Sequence, residues 1–158
     1  MTGPAAETMR KPPRAVLFMC GMNAIRSPMA EALARQVLPP GTYIASAGVR
    51  RGERDPFVDV VMEEVGMSLG RRQPQTLEEL EDDYFDLIVT LAPEAHHAAL
   101  ELTRSMAVDV VYWPTLDPTL ATGTRAQIVD AYREVRDHLE RLIRLQLLAK
   151  STPGAETA

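Results

Sequence analysis

Short apolar segments that alternate with helix-like segments constrain the fold of this chain more than any other feature. The strands predicted at Ala15–Met19 and Phe85–Leu91 are apolar at most positions, as expected for strands that are buried on both faces. Two further strands are predicted at Tyr43–Ala47 and Val108–Tyr112, and a helical pattern follows each strand. This alternation implies parallel strands joined by right-handed helical crossovers. The sequence therefore predicts an α/β fold: a single three-layer αβα domain, with a four-stranded parallel sheet and helices on both faces.

The predicted domain covers residues 14–148 of a chain of 158 residues, a length suited to one domain with its own core. Residues 1–13 and 149–158 are rich in proline, alanine, glycine and threonine, and we expect a disordered leader and a disordered tail there. The leader lacks the apolar core of a signal peptide, and no apolar run is long enough to span a membrane.

Charge and cysteine content narrow the class of partner. The net charge of −5 argues against a general nucleic-acid binder, which needs a basic face to displace counterions. Cys20 is the only cysteine, so no intrachain disulfide forms, as is typical of a reducing cytoplasm. We therefore expect a cytoplasmic protein with no nucleic-acid and no membrane partner.

Local motifs predict where the helices begin. Ser27 before Pro28, and Asp55 before Pro56, have the pattern of a capping residue followed by proline in the first helical turn. Residues 76–79 and 124–127 have the spacing of capping boxes and predict a short helix and the last long helix.

The loop from Cys20 to Arg26 has the composition of an oxyanion site. A tight turn between a strand and a helix N-terminus points several backbone N–H groups into one hollow, which binds tetrahedral anions. The Arg26 guanidinium adds a planar fork for two oxygens of the same anion. The same dipoles favour the thiolate of Cys20, which would face a bound phosphate in line for attack. A plain buried cysteine is the alternative, because this spacing alone is a weak motif. The preceding strand and the Ser-Pro helix start favour the anion site.

Five motifs together carry a family resemblance. They are VLFMC…N…RSPMAEAL from Val16, SAG at Ser46–Gly48, the Asp-Pro at Asp55, the strand FDLIVTL, and WPTLDP at Trp113–Pro118. On these motifs the chain, from Ala15 to about Leu148, resembles the low-molecular-weight protein tyrosine phosphatases and their relatives, the thioredoxin-coupled arsenate reductases.

The resemblance implies the catalytic residues. Cys20 would be the nucleophile, Arg26 the phosphate clamp and Asp117 the general acid. Asp117 also fits the chemistry independently, because the leaving oxygen needs a proton and the phosphocysteine then needs an activated water. An Asp-Pro pair is also an ordinary turn signal, and we interpret Asp55-Pro56 as a helix start only.

The resemblance further implies the substrate-binding residues. Asn23 would hold the unusual backbone of the loop, Ser27 would donate a hydrogen bond to the thiolate, and Ser46 would support Asn23. The full substrate-binding set is Gly21, Met22, Asn23, Ala24, Ile25, Ser27 and Ser46.

The loop departs from the family pattern in two ways. Gly21 and Met22 stand in swapped order, so the Met22 side chain either points outward over the pocket mouth or changes the loop. Ile25 replaces a common second cysteine, so oxidised Cys20 has no disulfide partner in the chain.

The pocket walls depart from the pattern as well. Aromatic residues common in the family are missing here: Thr119 and Leu120 follow the late Asp-Pro, and a VRRGER segment follows SAG. Arg50, Arg51 and Arg54 in that segment form either a basic pocket mouth or an ordinary solvated loop.

Three functions stay open at this point. The first is a cysteine-dependent enzyme that hydrolyses phosphomonoesters through a phosphocysteine, without metal or other cofactor. Its substrate would be a phosphoprotein, as for a protein tyrosine phosphatase, or a small phosphate ester, and inorganic phosphate its product. The second is an arsenate reductase that uses an external thiol. The third is a phosphate-binding or phosphoprotein-binding module with weakened catalysis.

Overall fold

The computed structural model describes residues 12–82 and 84–148. A single parallel sheet of four strands lies at its centre, in the order β2-β1-β3-β4. The strands are β1 (Ala15–Cys20), β2 (Tyr43–Gly48), β3 (Leu87–Thr90) and β4 (Asp109–Tyr112). The predicted parallel four-stranded sheet is therefore confirmed, with strand ends shifted by one or two residues. The leader and tail predicted at 1–13 and 149–158 lie outside the described residues, except for Pro12 and Pro13.

Four α-helices cover the two faces of the sheet. They are α1 (Arg26–Val37), α2 (Pro56–Glu63), α3 (Pro93–Leu102) and α4 (Arg125–Gln146), with short 3₁₀ helices at Leu77–Glu79 and Pro118–Leu120. Helices α1, α2 and α4 share one apolar core with the sheet, and α3 packs against the opposite face. The three-layer αβα architecture is confirmed. None of the helices within the described residues is long and apolar enough to cross a membrane.

Alternation along β1 explains its apolar sequence. Val16 and Phe18 face the core beneath α1, α2 and α4, whereas Leu17 and Met19 face the core beneath α3. All four side chains are fully buried, as a strand in the middle of a covered parallel sheet requires. Cys20 ends the strand on the same side as Val16 and Phe18.

The strand order places a crevice at the end of β1. The chain adds β2 on one side of β1 and then crosses to add β3 on the other side. In open parallel sheets, ligands bind outside the carboxyl ends of the strands at such a reversal. Cys20 is the last residue of β1 and therefore lies at this point.

Three of the four predicted helix caps are confirmed. Asp55 caps α2 by accepting a hydrogen bond from the Phe57 N–H at 2.9 Å. Thr76 and Thr124 form the predicted capping boxes. The prediction of Ser27 as a cap is wrong, because α1 begins at Arg26, two residues before the predicted start at Pro28, and no side chain caps it. The Ser27 hydroxyl points into the preceding loop instead.

An ion-pair cluster joins the end of α2 to α4. The Glu64 carboxylate pairs with Arg133 at 2.7 Å and with Arg136 at 2.9 Å. Hydrogen bonds from these two guanidinium groups lower the pKa of Glu64 to about 2.

Candidate active site

The carbonyl groups of the loop after β1 are hydrogen-bonded to the segment that follows β2. The carbonyls of Cys20, Gly21 and Met22 accept hydrogen bonds of 2.8–3.2 Å from the backbone N–H groups of residues 49, 50 and 52. The N–H groups of residues 21–25 donate to no acceptor within residues 12–82 and 84–148. Five consecutive unpaired donors at the start of a helix are what the predicted anion-binding hollow requires.

Asn23 sets the backbone of this loop. Its φ of 56° is the one positive φ among the described non-glycine residues. Its side-chain Nδ2 donates to Ser27 Oγ at 2.8 Å and to Ser46 Oγ at 2.9 Å. Its Oδ1 accepts from the Gln75 N–H at 2.9 Å. Asparagine tolerates the left-handed region better than most residues, and these bonds offset the remaining cost of about 1–2 kcal/mol.

Cys20 and Ser27 form a hydrogen-bonded pair at the base of the loop. The Cys20 side chain is 2% exposed, and its Sγ lies 3.0 Å from Ser27 Oγ. Because the Ser27 oxygen already accepts from Asn23, its own O–H remains available to donate to the sulfur. The sulfur therefore has one side-chain hydrogen-bond donor within reach.

The ion pair of Arg72 with buried Glu31, behind Asn23, was not predicted. Arg72 Nη2 donates to Asn23 Oδ1 at 3.1 Å and to Ser46 Oγ at 2.8 Å, and it pairs with Glu31 at 3.2 Å. Ser46 in turn donates to Glu31 Oε1 at 2.5 Å. Glu31 and Arg72 therefore support the two residues that shape the loop.

Of the two residues that support the loop, Glu31 could have been found from the sequence and Arg72 could not. Glu31 lies four residues after Ser27, on the buried face of α1, where a carboxylate needs a partner. Arg72 lies 49 positions after Asn23, and no local pattern connects the two residues.

Arg26 connects the loop to the segment that carries Asp117. Its Nη1 donates to the carbonyl oxygen of Thr115 at 2.9 Å, and its side chain is half-buried. The structure thus brings together the predicted residues 20–27 and Ser46 in one unit, and this hydrogen bond joins them to the Asp117 loop.

Asp117 caps the 3₁₀ helix that follows it. Its Oδ1 accepts from the Thr119 N–H at 3.0 Å and from the Thr119 hydroxyl at 2.7 Å. Its Oδ2 has no hydrogen-bond partner in the described part of the chain. Leu116 and Leu120 flank it and are 82% and 77% exposed. One carboxylate oxygen therefore stays available beside an apolar surface.

Tyr132 is a second feature that sequence reasoning missed. Its hydroxyl donates to Asp55 Oδ2 at 2.6 Å, so Asp55 holds α4 as well as capping α2. Burial, this hydrogen bond and the charges of Asp55 and Asp117 raise the pKa of Tyr132 above its usual range. Asp55 therefore has a structural role, as interpreted from the sequence.

Met22 takes the outward orientation. Its side chain is 48% exposed and packs against Gly52, where a β-carbon would lie only 2.7 Å from Met22 Cβ. Glycine at position 52 therefore accommodates the methionine that replaces the family's glycine in the loop.

The arginines after β2 are all paired with carboxylates. Arg50 pairs with Glu94 at 2.7 Å, and Arg54 pairs with Asp59 at 2.9 Å. Arg51 pairs with Glu79. This segment is therefore a solvated loop whose arginine charges are balanced by carboxylates, and it is not a basic pocket mouth.

Comparisons with known proteins identify a family and several relatives of this chain. Residues 15–151 match the family described as low molecular weight phosphotyrosine protein phosphatase. An arsenate reductase of Halalkalibacterium halodurans is 28% identical over 131 residues, covering 83% of this chain and 93% of the relative. A protein-arginine-phosphatase of Geobacillus stearothermophilus is 29% identical over 151 residues, covering 83% and 92%.

Solved structures lead to the same family. A tyrosine phosphatase from Erwinia amylovora superposes with a TM-score of 0.69 at 25% identity, covering 85% of this chain and 91% of that one. The family match extends over most of the chain, including the loop, its buried support and Asp117. The chain belongs to the low molecular weight phosphotyrosine protein phosphatase family.

Proposed function

We propose that this protein hydrolyses phosphomonoesters through a phosphocysteine intermediate, with protein phosphotyrosine as its substrate. The observation that carries the proposal is the hollow of five unpaired N–H groups at residues 21–25, with the Cys20 sulfur at its base. These unpaired donors support the proposal because a phosphate dianion bound to them would be next to the sulfur.

The reaction proceeds in two steps. The Cys20 thiolate attacks phosphorus, the bond from phosphorus to the ester oxygen breaks, and protonated Asp117 donates its proton to that oxygen. Water then attacks the phosphocysteine, Asp117 takes a proton from it, and the sulfur–phosphorus bond breaks. Inorganic phosphate leaves and the thiolate is restored. Arg26 binds the equatorial oxygens in both steps.

Burial of the nucleophile supports a long substrate side chain. At 2% exposure, Cys20 is out of reach of a phosphate on a short side chain such as serine. The exposed leucines beside Asp117, Leu116 and Leu120, offer apolar contact to an aromatic leaving group. These two features favour phosphotyrosine over phosphoserine, and an aromatic over a cationic leaving group.

Arsenate reduction is the second candidate, because a curated relative that matches most of the chain is an arsenate reductase. Arsenate has the shape and charge of phosphate and fits the same hollow. Cys20 is the only cysteine, so electrons would have to come from an external thiol.

Hydrolysis of p-nitrophenyl phosphate and of a phosphotyrosine peptide tests the proposal. We expect turnover by the wild type and none by Cys20→Ala, which is preferred to serine because a hydroxyl is itself a nucleophile. Phosphate binding without hydrolysis of either substrate would instead indicate a binding module.

Two further assays distinguish phosphotyrosine hydrolysis from arsenate reduction and from phosphoarginine hydrolysis. Arsenate with glutathione tests for reduction, and a phosphoarginine peptide tests the activity named for the relative from Geobacillus stearothermophilus. A higher kcat/KM on either substrate than on phosphotyrosine would overturn the proposed specificity.

A further inference from the structure

A second cleft lies on the outer side of the residues that support the loop. It has a volume of about 370 Å³ and lies between α1 and the segment that follows α2. Its charged lining residues are Glu31, Arg35 and Arg72, and the rest of its lining is neutral. This volume falls within the range of small-molecule sites, about 300–1,000 Å³.

The cleft carries a net positive charge in an acidic protein. Two guanidinium groups face one carboxylate, so the lining has a formal charge of about +1, whereas the whole chain has −5. Glu31 is satisfied by its neighbours: Arg35 pairs with one of its oxygens at 2.6 Å, and Arg72 and Ser46 contact the other. Its negative charge is thus fully engaged, and it is buried.

Both arginines keep unused donors. Arg35 uses only Nη2, which donates to Glu31 and to the carbonyl of Ile44. Arg72 also uses only Nη2 for its side-chain hydrogen bonds. In residues 12–82 and 84–148, the Nε and Nη1 groups of both side chains have no acceptor. Each guanidinium therefore retains three N–H donors, which is the chemistry that binds phosphate-like oxyanions.

We propose that this cleft is a second oxyanion site, distinct from the hollow at residues 21–25. Its ligand is a small tetrahedral dianion, such as inorganic phosphate or the phosphoryl group of a small molecule, held between Arg35 and Arg72. The inference builds on the proposed function only in that both sites bind phosphate. Arg72 also contacts Asn23, so an anion in the cleft lies one side chain away from the catalytic loop.

Site-resolved titration with inorganic phosphate tests the proposal. Backbone amide shifts in the NMR spectrum report each site separately: residues 21–25 for the hollow, and residues 66–69 for the cleft. In the wild type we expect both sets to shift with saturation. Arg35→Gln should weaken the cleft response about tenfold, the effect of losing one charge-assisted hydrogen bond, and leave the loop response in place.

The chain offers a matched control for that variant. Arg144 lies on α4, pairs with the glutamate four residues before it as Arg35 does, and is 55% exposed against 56% for Arg35. Arg144→Gln removes the same charge elsewhere and should change neither response. Gln36→Glu leaves both arginines intact and adds a carboxylate to the lining, so it should also weaken the cleft response.

The two proposals fail in different ways. Arg26→Met should weaken the loop response and leave the cleft response unchanged. If residues 66–69 do not respond to phosphate, or respond equally in wild type, Arg35→Gln and Gln36→Glu, the cleft proposal is overturned. If residues 21–25 do not respond while the cleft does, the proposed phosphatase function fails and the second site stands. Phenylphosphonate, titrated in the same way, represents a phosphoryl group attached to a small molecule, whereas inorganic phosphate represents the free ion. Binding of either probe in the cleft supports the site.

Discussion

At the scale of single residues, Asp117 is the clearest test of mechanism. Asp117→Asn removes the proton donor but keeps the Oδ1 that caps the 3₁₀ helix. We expect kcat for p-nitrophenyl phosphate to fall by about 10²–10⁴-fold, because hydrolysis of the phosphocysteine loses the general base that takes a proton from water. The inhibition constant of phosphate, measured in parallel, should stay nearly unchanged. An equal loss in both quantities would remove Asp117 from proton transfer.

Arg72 provides a second test at this scale, because it supports the loop without belonging to it. Arg72→Met leaves the oxygens of Asn23 and Ser46 without one of their donors, a loss of about 1–3 kcal/mol when groups are buried. If this loss of about 1–3 kcal/mol raises the activation free energy, kcat should fall by about tenfold to a hundredfold. The thermal unfolding transition should remain cooperative.

Arg71→Met is the matched control for this variant. Arg71 is exposed, is adjacent in sequence and makes no side-chain hydrogen bond in the described residues. Full activity of Arg72→Met, or equal losses in the two variants, would contradict a positioning role for Arg72.

At the scale of elements, the end of β2 packs closely against the loop at residues 20–26. A β-carbon on Gly48 would lie 2.7 Å from the backbone nitrogen of Asn23 and 2.7 Å from the carbonyl carbon of Met22. Gly48→Ala should therefore destabilise the fold by about 1–3 kcal/mol and lower kcat by about tenfold or more, because the loop must move.

Gly66→Ala separates loop displacement from general destabilisation. Gly66 has a φ of 77° and open space around it, so alanine there should cost about 1–2 kcal/mol of stability and leave kcat unchanged. Chemical denaturation and steady-state kinetics on both variants check this. Wild-type kcat in Gly48→Ala would show that the loop does not depend on this packing.

The contact between α2 and α4 predicts a pH dependence of stability. The pKa of Glu64 is lowered to about 2 in the folded protein and is about 4.3 for an unfolded glutamate. A lowered folded-state pKa stabilises the protein above the unfolded value, and this contribution is lost as the pH falls from about 4.3 to about 2.

Thermal melts of Glu64→Gln against wild type measure this contribution. The variant should melt lower at pH 7, and the difference should shrink as the pH approaches 2. Glu134→Gln, on the exposed side of α4 without an ion pair in the described residues, should show no such trend. A pH-independent gap for Glu64→Gln would contradict the role of its charge.

At the scale of the whole molecule, the sheet was predictable because its strands are buried on both faces. Val16–Phe18 and Leu87–Val89 have the composition of covered parallel strands, and capping motifs such as Asp55-Pro56 and Thr124 mark helix starts. The loop was predictable as well, because its residues are consecutive in sequence.

Long-range support of the site was not predictable from local patterns. Arg72 contacts Asn23 across 49 positions and Tyr132 contacts Asp55 across 77, and both contacts depend on how segments pack. Ser27 shows the opposite error: its Ser-Pro pattern is typical of a cap, but tertiary structure directs its hydroxyl to Cys20. Residues whose partner is distant in sequence required the structure.

The most direct test of the account is to trap the covalent intermediate. Asp117→Asn is mixed with p-nitrophenyl phosphate, whose leaving group needs little proton assistance, and the reaction is quenched within one turnover for peptide mass spectrometry. We predict the added mass of one phosphoryl group on the peptide that contains Cys20, and no such mass in Cys20→Ala. Turnover without that adduct, or an adduct that persists in Cys20→Ala, would contradict catalysis by this thiolate.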